Sequence, residues 1–564
     1  TAGQFEFTVT PVDGTGTTAA DAAAKLGITD DNKKVPSIAA DDGETVTVGT
    51  FDLADDMKFT QDDAGKTFVY EVTETKKGGD GYTNDDATYR VEIAVTHDAA
   101  TATLKVTTTV TKDGAPVGEP VVVTNTTAER ATATVPFENS YSASTQTEGG
   151  TSATVSTTKT LEGRPLEAGE FTFQVAYAGG DKAVVKSDVT NAADGTVDFG
   201  SFNYTTESLA QMVNDGRAQK TADGWTIQYT ASEVTDGLAD VGVTATDQTF
   251  SFTITVVDNG DGTLTATADL PEGHGFKNTY TSTGEGGLPV TVTPAGTKVI
   301  EAEDGLTPDR DALAGKFTFT LSSNDPNAPM PAAGGEVATN DAQGNVTFGT
   351  IEFSLDNLNK ALDAQAGTDE GIDTQEVGGT PREYTFTYQV TESGGVDYVQ
   401  NDETTVREFS YTVHDDGKGN LTVTREPEAG ALFTFTNTYT VEPELSSPTG
   451  EGQLTITKTL VGRDMNQGEF SFKLSAVSSG WWTAATNPAA GDGEAANITF
   501  GEILFTEPGT YQYTLQEENT NKGGVEYDTS VYTVTAEVKD TGTGELEVTW
   551  SINGTQDKTV AFEN

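Results

Sequence analysis

The chain has 564 residues, with 32 Lys+Arg against 88 Asp+Glu, for a formal charge of −56. A field of that sign repels phosphate backbones and anionic lipid, which argues against nucleic acid or a membrane surface as partner. Cysteine is absent and there are three histidines, which removes disulfides, thiolate catalysis and Cys-ligated zinc, and no run of about 18 apolar residues is present to span a bilayer.

A single core does not extend over this length, so several domains are expected. Thr, Gly and Asp are abundant and the dominant apolar period is two, which predicts many short strands joined by tight turns. In chain order, the first predicted strand carries Gly3-Gln4-Phe5-Glu6-Phe7, and a short helix follows over Ala19 to Leu26. A central strand, Phe68-x-Tyr70-x-Val72-x-Glu74, and a closing strand, Phe137-x-Asn139-x-Tyr141, complete the first repeat. The second repeat opens on Thr158-Lys159-Thr160-Leu161 and Gly169-x-Phe171-x-Phe173. It continues through a helix at Ser208 to Val213 and the strand Ile227-x-Tyr229-x-Ala231-x-Glu233, and ends on Phe276-x-Asn278-x-Tyr280.

The third repeat runs from Lys298 and Gly315-x-Phe317-x-Phe319, past a helix at Ser354 to Ala364, through Phe386-x-Tyr388-x-Val390-x-Glu392 to Phe435-x-Asn437-x-Tyr439. The fourth has Lys458, Gly468-x-Phe470-x-Phe472, Tyr511-x-Tyr513-x-Leu515-x-Glu517 and a last copy, Phe562-Glu563-Asn564. Short polar segments separate the copies, giving repeats at 1–144, 151–283, 288–442 and 452–564. The first repeat begins at its Gly marker and its Lys strand would precede Thr1, as expected of a fragment from a longer array. Repeats of this size and period predict immunoglobulin-like β-sandwiches.

Residues two apart in a strand share a face. That parity puts Lys159, Lys298 and Lys458 on the apolar face of their strands, together with Glu233, Glu392 and Glu517 and with Asn278, Asn437 and Asn564 on theirs. Taken singly, such a Lys snorkels, such a Glu is exposed and such an Asn caps a turn. Three full copies in one order reverse that reading, because a buried unpaired charge costs several kcal/mol and the three groups should meet. Desolvation favours a neutral lysine amine, a competent nucleophile, and a protonated glutamate that polarises the Asn carboxamide and relays protons to departing ammonia. The product is an amide between the two side chains, formed once by each domain on itself.

The Lys-Thr-Leu-x-Gly-Arg opening, the Tyr-x-Tyr-x-x-x-Glu strand and the closing Phe-x-Asn-x-Tyr resemble the pilin isopeptide-linkage domains of Gram-positive surface proteins. These are CnaB-type repeats of pilus backbones and adhesin stalks. The resemblance implies links Lys159–Asn278 with Glu233, Lys298–Asn437 with Glu392, and Lys458–Asn564 with Glu517, and an incomplete site, Glu74 and Asn139, in repeat 1. It implies an all-β, elongated head-to-tail rod on the cell surface, secreted and wall-attached through an anchor outside this fragment. No cofactor or metal is expected, and the partners implied are neighbouring repeats or pilin subunits of the same fibre. An adhesin array that binds host glycan or protein, and so a host receptor, is the alternative, and a secreted hydrolase is disfavoured because the placed carboxylates recur in every repeat.

Other signals are read as structural. The acidic turns starting at Asp258, Asp415 and Asp540 resemble parts of a calcium loop but recur before similar strands, as one hairpin turn does. Leu288-Pro289-Val290-Thr291 is read as a strand entrance, and Trp481-Trp482 as a plug against the sandwich in preference to a ligand platform.

Overall fold

A computed structural model describes residues 2–41, 44–50, 59–124, 133–368, 381–555 and 557–564. The chain forms two compact units, one of residues 1–161, 166–236 and 245–278, the other of residues 162–165, 237–244 and 279–564. Both are built from β-strands, as the period of two predicts.

In the first unit, the strand Glu6–Val12 pairs antiparallel with Thr67–Lys76, which continues through Tyr89–Asp98 to Thr103–Lys112. The helix Ala19–Leu26 lies where the sequence predicts it, capped by Thr18, with Ala22 buried beneath it. The buried Tyr70 hydroxyl donates to the Ala22 carbonyl at 2.9 Å, so the helix is fastened to the central strand. The same unit holds a sandwich whose smaller sheet has the order Thr196–Phe202, Ala153–Glu162, Phe276–Tyr280, Val243–Asp247. Its larger sheet centres on Gly224–Glu233, flanked by Thr172–Tyr177 and Thr249–Asp258.

The second unit repeats this arrangement twice. Ala295–Ala302 pairs parallel with Thr434–Tyr439, opposite a sheet centred on Arg382–Gly394. Thr455–Thr459 pairs parallel with Thr559–Glu563, opposite a sheet centred on Gly509–Glu517. In each case the strand that carries Lys and the strand that carries Asn are neighbours in the small sheet, while Glu lies at or within two residues of the end of the central strand of the large one. The four sandwiches follow one another in tandem along the sequence.

Packing explains the aromatic markers. Phe173 packs at a tilt against Phe276 with ring centroids 4.6 Å apart, Phe319 against Phe435 at 5.5 Å and Phe472 against Phe562 at 5.2 Å. Phe7 meets Phe137 at 4.8 Å in the first repeat. The second Phe of each Gly-x-Phe-x-Phe therefore joins the large sheet to the closing strand of the small one. Each fully buried aromatic of this kind contributes about 1.5–3 kcal/mol.

Three expectations need adjustment. The second helix is Thr206–Asn214, longer than Ser208 to Val213, because Thr205 and Ser208 form a capping box that starts it earlier. The third helix, Leu355–Thr368, outruns Ala364. A further short helix, Arg310–Leu313, occupies the long loop between Lys298 and Gly315, capped by the Asp309 carboxylate; at four residues it has too little periodicity to be read. Val290–Val292 is a strand paired with Ile351–Phe353, as the strand-entrance reading of that segment requires. The tryptophan pair departs from its plug reading, with Trp481 42% and Trp482 56% exposed.

Candidate lysine, glutamate and asparagine site

The three strands just described bring one residue of each predicted trio to the middle of the sandwich. In repeat 2, Lys159, Glu233 and Asn278 are all buried. Lys159 Nζ donates to Glu233 Oε1 at 2.7 Å, and Asn278 Nδ2 donates to the same oxygen at 2.8 Å. In repeat 4, Glu517 is bridged on both oxygens, with Lys458 Nζ at 2.9 Å from Oε2 and Asn564 Nδ2 at 2.8 Å from Oε1. Both lysine–glutamate pairs have no exposed side-chain surface.

Repeat 3 differs in detail. Lys298 Nζ lies 2.8 Å from Glu392 Oε1, but neither atom is aligned for a hydrogen bond. Asn437 is fully buried and donates through Nδ2 to Asn401 Oδ1 at 2.9 Å instead of to Glu392. In repeat 1, Asn139 Nδ2 reaches Glu74 Oε1 at 3.2 Å, while Glu74 Oε2 is buried without a hydrogen bond.

Burial sets the electrostatics. It pushes the Lys159, Lys298 and Lys458 amines below the ordinary lysine value, against the opposing pull of the paired glutamates. It raises the Glu74 carboxyl, in opposition to the Asn139 hydrogen bond. A proton therefore leaves each of these lysines more readily than it leaves a lysine in water.

Two sets of supporting residues escape the sequence reading. The first holds the amide oxygen. The backbone N–H of Asp85 donates to Asn139 Oδ1 at 2.7 Å, that of Asp402 to Asn437 Oδ1 at 2.8 Å and that of Asp528 to Asn564 Oδ1 at 2.8 Å. Each aspartate also accepts through Oδ2 from the backbone one residue before that asparagine, at Glu138, Thr436 and Glu563. The aspartate thus clips its own loop to the closing strand and aims one N–H at the carboxamide oxygen. Repeat 2 lacks this device, and Asn278 Oδ1 is buried without a partner.

The second set builds the floor beneath the amine. Lys159 Nζ sits 4.3 Å from the Phe171 ring centroid, Lys298 4.8 Å from Phe317 and Lys458 4.8 Å from Phe470. Each of those phenylalanines is fixed through its N–H by a buried asparagine, at 2.9 Å to Asn191, 3.2 Å to Asn340 and 2.7 Å to Asn487. The asparagine amide in turn donates to Glu167, Leu313 or Asn466 carbonyls. In repeat 1 the Ser37 hydroxyl takes the position, accepting from Phe5 N–H at 3.1 Å. The recurrence of Asn191, Asn340 and Asn487 downstream of each Phe-x-Phe is the signal that could have found them.

Chemically, an amine of lowered pKa, a carboxyl group touching both amine and amide, and an N–H on the amide oxygen are the parts of an acyl-transfer centre, and repeat 4 brings all of them together, while repeat 2 is without the N–H and repeat 3 without the carboxyl–amide contact. Among the described residues, no group of three or more His, Asp or Glu side chains is gathered as a metal site.

Comparison with known proteins places these sites in context. The family model described as FctA, a Spy0128-like isopeptide containing domain, matches residues 1–142, 155–281, 294–440 and 454–564. Solved structures similar to the chain include the T-13 major pilin of Streptococcus pyogenes, at 16% identity over 49% of this chain and 98% of the pilin, with a TM-score of 0.15. Another Streptococcus pyogenes major pilin matches at 16% identity over 49% of this chain and 97% of its own, with a TM-score of 0.15. A third, T3.2, is 13% identical over 49% of this chain and 96% of its own, with a TM-score of 0.13. No curated protein matches the chain.

Proposed function

We propose that this chain, which belongs to the Spy0128-like isopeptide containing domain family, is a structural segment of a Gram-positive surface fibre, either pilus shaft or adhesin stalk. In this reading it is secreted and lies at the cell surface, its partners are neighbouring repeats or pilin subunits, and it turns over no substrate. Its repeats, divided at 1–144, 151–283, 288–442 and 452–564, are locked by self-formed Lys–Asn amide bonds. The observation that carries the reading is a buried lysine beside a glutamate, recurring three times at 2.7–2.9 Å, with the asparagine strand adjacent to the lysine strand each time.

The proposed reaction proceeds in two stages. The neutral Lys Nζ lone pair attacks Asn Cγ, and the developing charge on Oδ1 is met by the Asp402 or Asp528 N–H in repeats 3 and 4. The glutamate accepts the proton lost by Nζ and delivers it to Nδ2, the Cγ–Nδ2 bond breaks, and ammonia leaves. One amine and one primary amide become one secondary amide and one ammonia, with no oxidant required. In repeat 3 the Asn437 amide has first to turn from Asn401 towards Glu392.

The test is intact mass followed by mapping of cross-linked peptides. Purified chain is expected to be lighter than its sequence by three ammonia molecules, and Glu392→Ala to restore one. A full unmodified mass would sink the mechanism and leave the trios as ordinary buried polar networks.

A further inference from the structure

The acidic turns have a use that neither the trio nor the family match accounts for. In the first unit, the hydroxyl of Tyr141, two residues beyond Asn139, donates to Asp258 Oδ1 at 2.6 Å and accepts the Gly262 N–H at 3.3 Å. In the second unit, Tyr439, two residues beyond Asn437, donates to Asp540 Oδ1 at 2.7 Å and accepts the Gly544 N–H at 2.9 Å. Tyr280 makes the same pair of bonds there, to Asp415 Oδ1 at 2.5 Å and from the Gly419 N–H at 3.0 Å.

The turn is shaped for this contact. Its aspartate oxygen Oδ1 also accepts the N–H two residues on, at Gly260, Gly417 and Gly542, which holds the carboxylate in place. The glycine four residues after the aspartate has φ of +85° at Gly262, +91° at Gly419 and +87° at Gly544, a region other residues enter at a cost. There is also no room for a side chain. A Cβ on Gly262 would stand 2.7 Å from Gly81 Cα, and one on Gly544 would stand 2.2 Å from Tyr398 Cβ. The segment after the tyrosine joins in, with the N–H of Ser144, Thr283 and Glu442 donating to the carbonyls of Gly262, Gly419 and Gly544. Burial, with the aspartate bond adding to it, pushes the Tyr141, Tyr280 and Tyr439 hydroxyls up to about 12, as suits donors withdrawn from water.

We propose that the Asp-x-Gly-x-Gly turn is a docking socket whose occupant is the closing tyrosine of a preceding repeat of this same kind. The tyrosine shares its strand and its face with the asparagine of the candidate site. At Tyr141 and Tyr439 the socket therefore couples the site of one repeat to the body of the next within the same unit, through two residues of extended chain, and replaces a free linker with a fixed joint. The first repeat supplies an internal contrast. Its turn keeps Asp98, which accepts the Ala100 N–H at 2.9 Å, but has Ala102 at φ +52° where the other three have glycine.

The joint can be tested in the full chain at Tyr439. Because the sequence has no cysteine, single cysteines at exposed Val337 and Val477 can be spin-labelled without interference. The parent chain is expected to give a narrow interspin distance distribution. Tyr439→Phe, which keeps the ring and loses the hydroxyl, should broaden it, and so should Gly544→Ala, which copies the first repeat's turn. Asp540→Asn combined with Tyr439→Phe should broaden it no further than Tyr439→Phe alone. The ammonia deficit is read on every variant, which separates failure of the joint from failure of the amide-bond reading and shows whether repeats 3 and 4 have folded. Unchanged widths in both Tyr439→Phe and Gly544→Ala overturn the proposal.

Discussion

At the scale of the residue, each lysine of the candidate sites sheds its proton more easily than usual, because burial penalises its charged form. An unlinked variant exposes this directly. Asn437→Ala leaves Lys298 as an amine whose folded-state value lies below the ordinary 10.5 because burial penalises the cation. The unfolded chain then binds the proton more tightly, so stability rises with pH from the folded lysine's value up to the unfolded one. Urea midpoints of the repeat 3 transition between pH 7 and 10 are expected to climb in Asn437→Ala. In the parent chain, with an amide nitrogen at that place, they should lack this rise. The supporting asparagines carry a second prediction. Asn487→Ala removes the acceptor of the Phe470 N–H and two amide donations to Asn466 and Pro488 carbonyls. Leaving such buried groups unpaired should cost about 1–3 kcal/mol, and loosening the floor under Lys458 should leave part of the fourth-repeat population unlinked in the mass spectrum.

At the scale of the element, parity was legible and support was not. Alternation alone puts Lys, Glu and Asn on inward faces, because side chains in a strand alternate. It does not reveal that the Lys and Asn strands are parallel neighbours, with Lys298 beside Phe435 and Lys458 beside Phe562. Nor does it reveal that Asp402 and Asp528 lie across from the asparagines, since their contribution is a backbone N–H that any residue type carries. Parallel neighbours pulled from opposite ends are loaded in shear, and a covalent tie between them would take the force before the hydrogen bonds do. Stretching single molecules is expected to leave the 106 residues between Lys458 and Asn564 unextended in the parent chain. In Glu517→Ala the same segment should add about 350 Å of contour at about 3.3–3.6 Å per residue.

At the scale of the whole molecule, four sandwiches share one plan while their sites differ. Closing loops of 119, 139 and 106 residues should remove unfolded-state entropy worth about 4–5 kcal/mol each, by analogy with disulfides. The Glu233→Ala, Glu392→Ala and Glu517→Ala triple variant is therefore expected to melt well below the parent and to be cut faster by protease, while reductant should leave both unchanged. The net charge of −56 adds self-repulsion that salt screens. Melting temperature is accordingly expected to rise as ionic strength goes from 10 mM to 150 mM.

The amino-acid sequence by itself determined the fold class and the four-fold repetition and pointed to each candidate trio, because strand period and spaced markers are local, one-dimensional signals. Tertiary structure alone decided which trios are in contact. It turned the Asn437 amide towards Asn401, left Asn278 Oδ1 without a donor and put the closing tyrosines into the acidic turns. Those outcomes depend on residues that only the fold brings together, from 36 positions apart for Asn437 with Asn401 to 117 for Tyr141 with Asp258. A pattern of side-chain types along one strand holds no record of them.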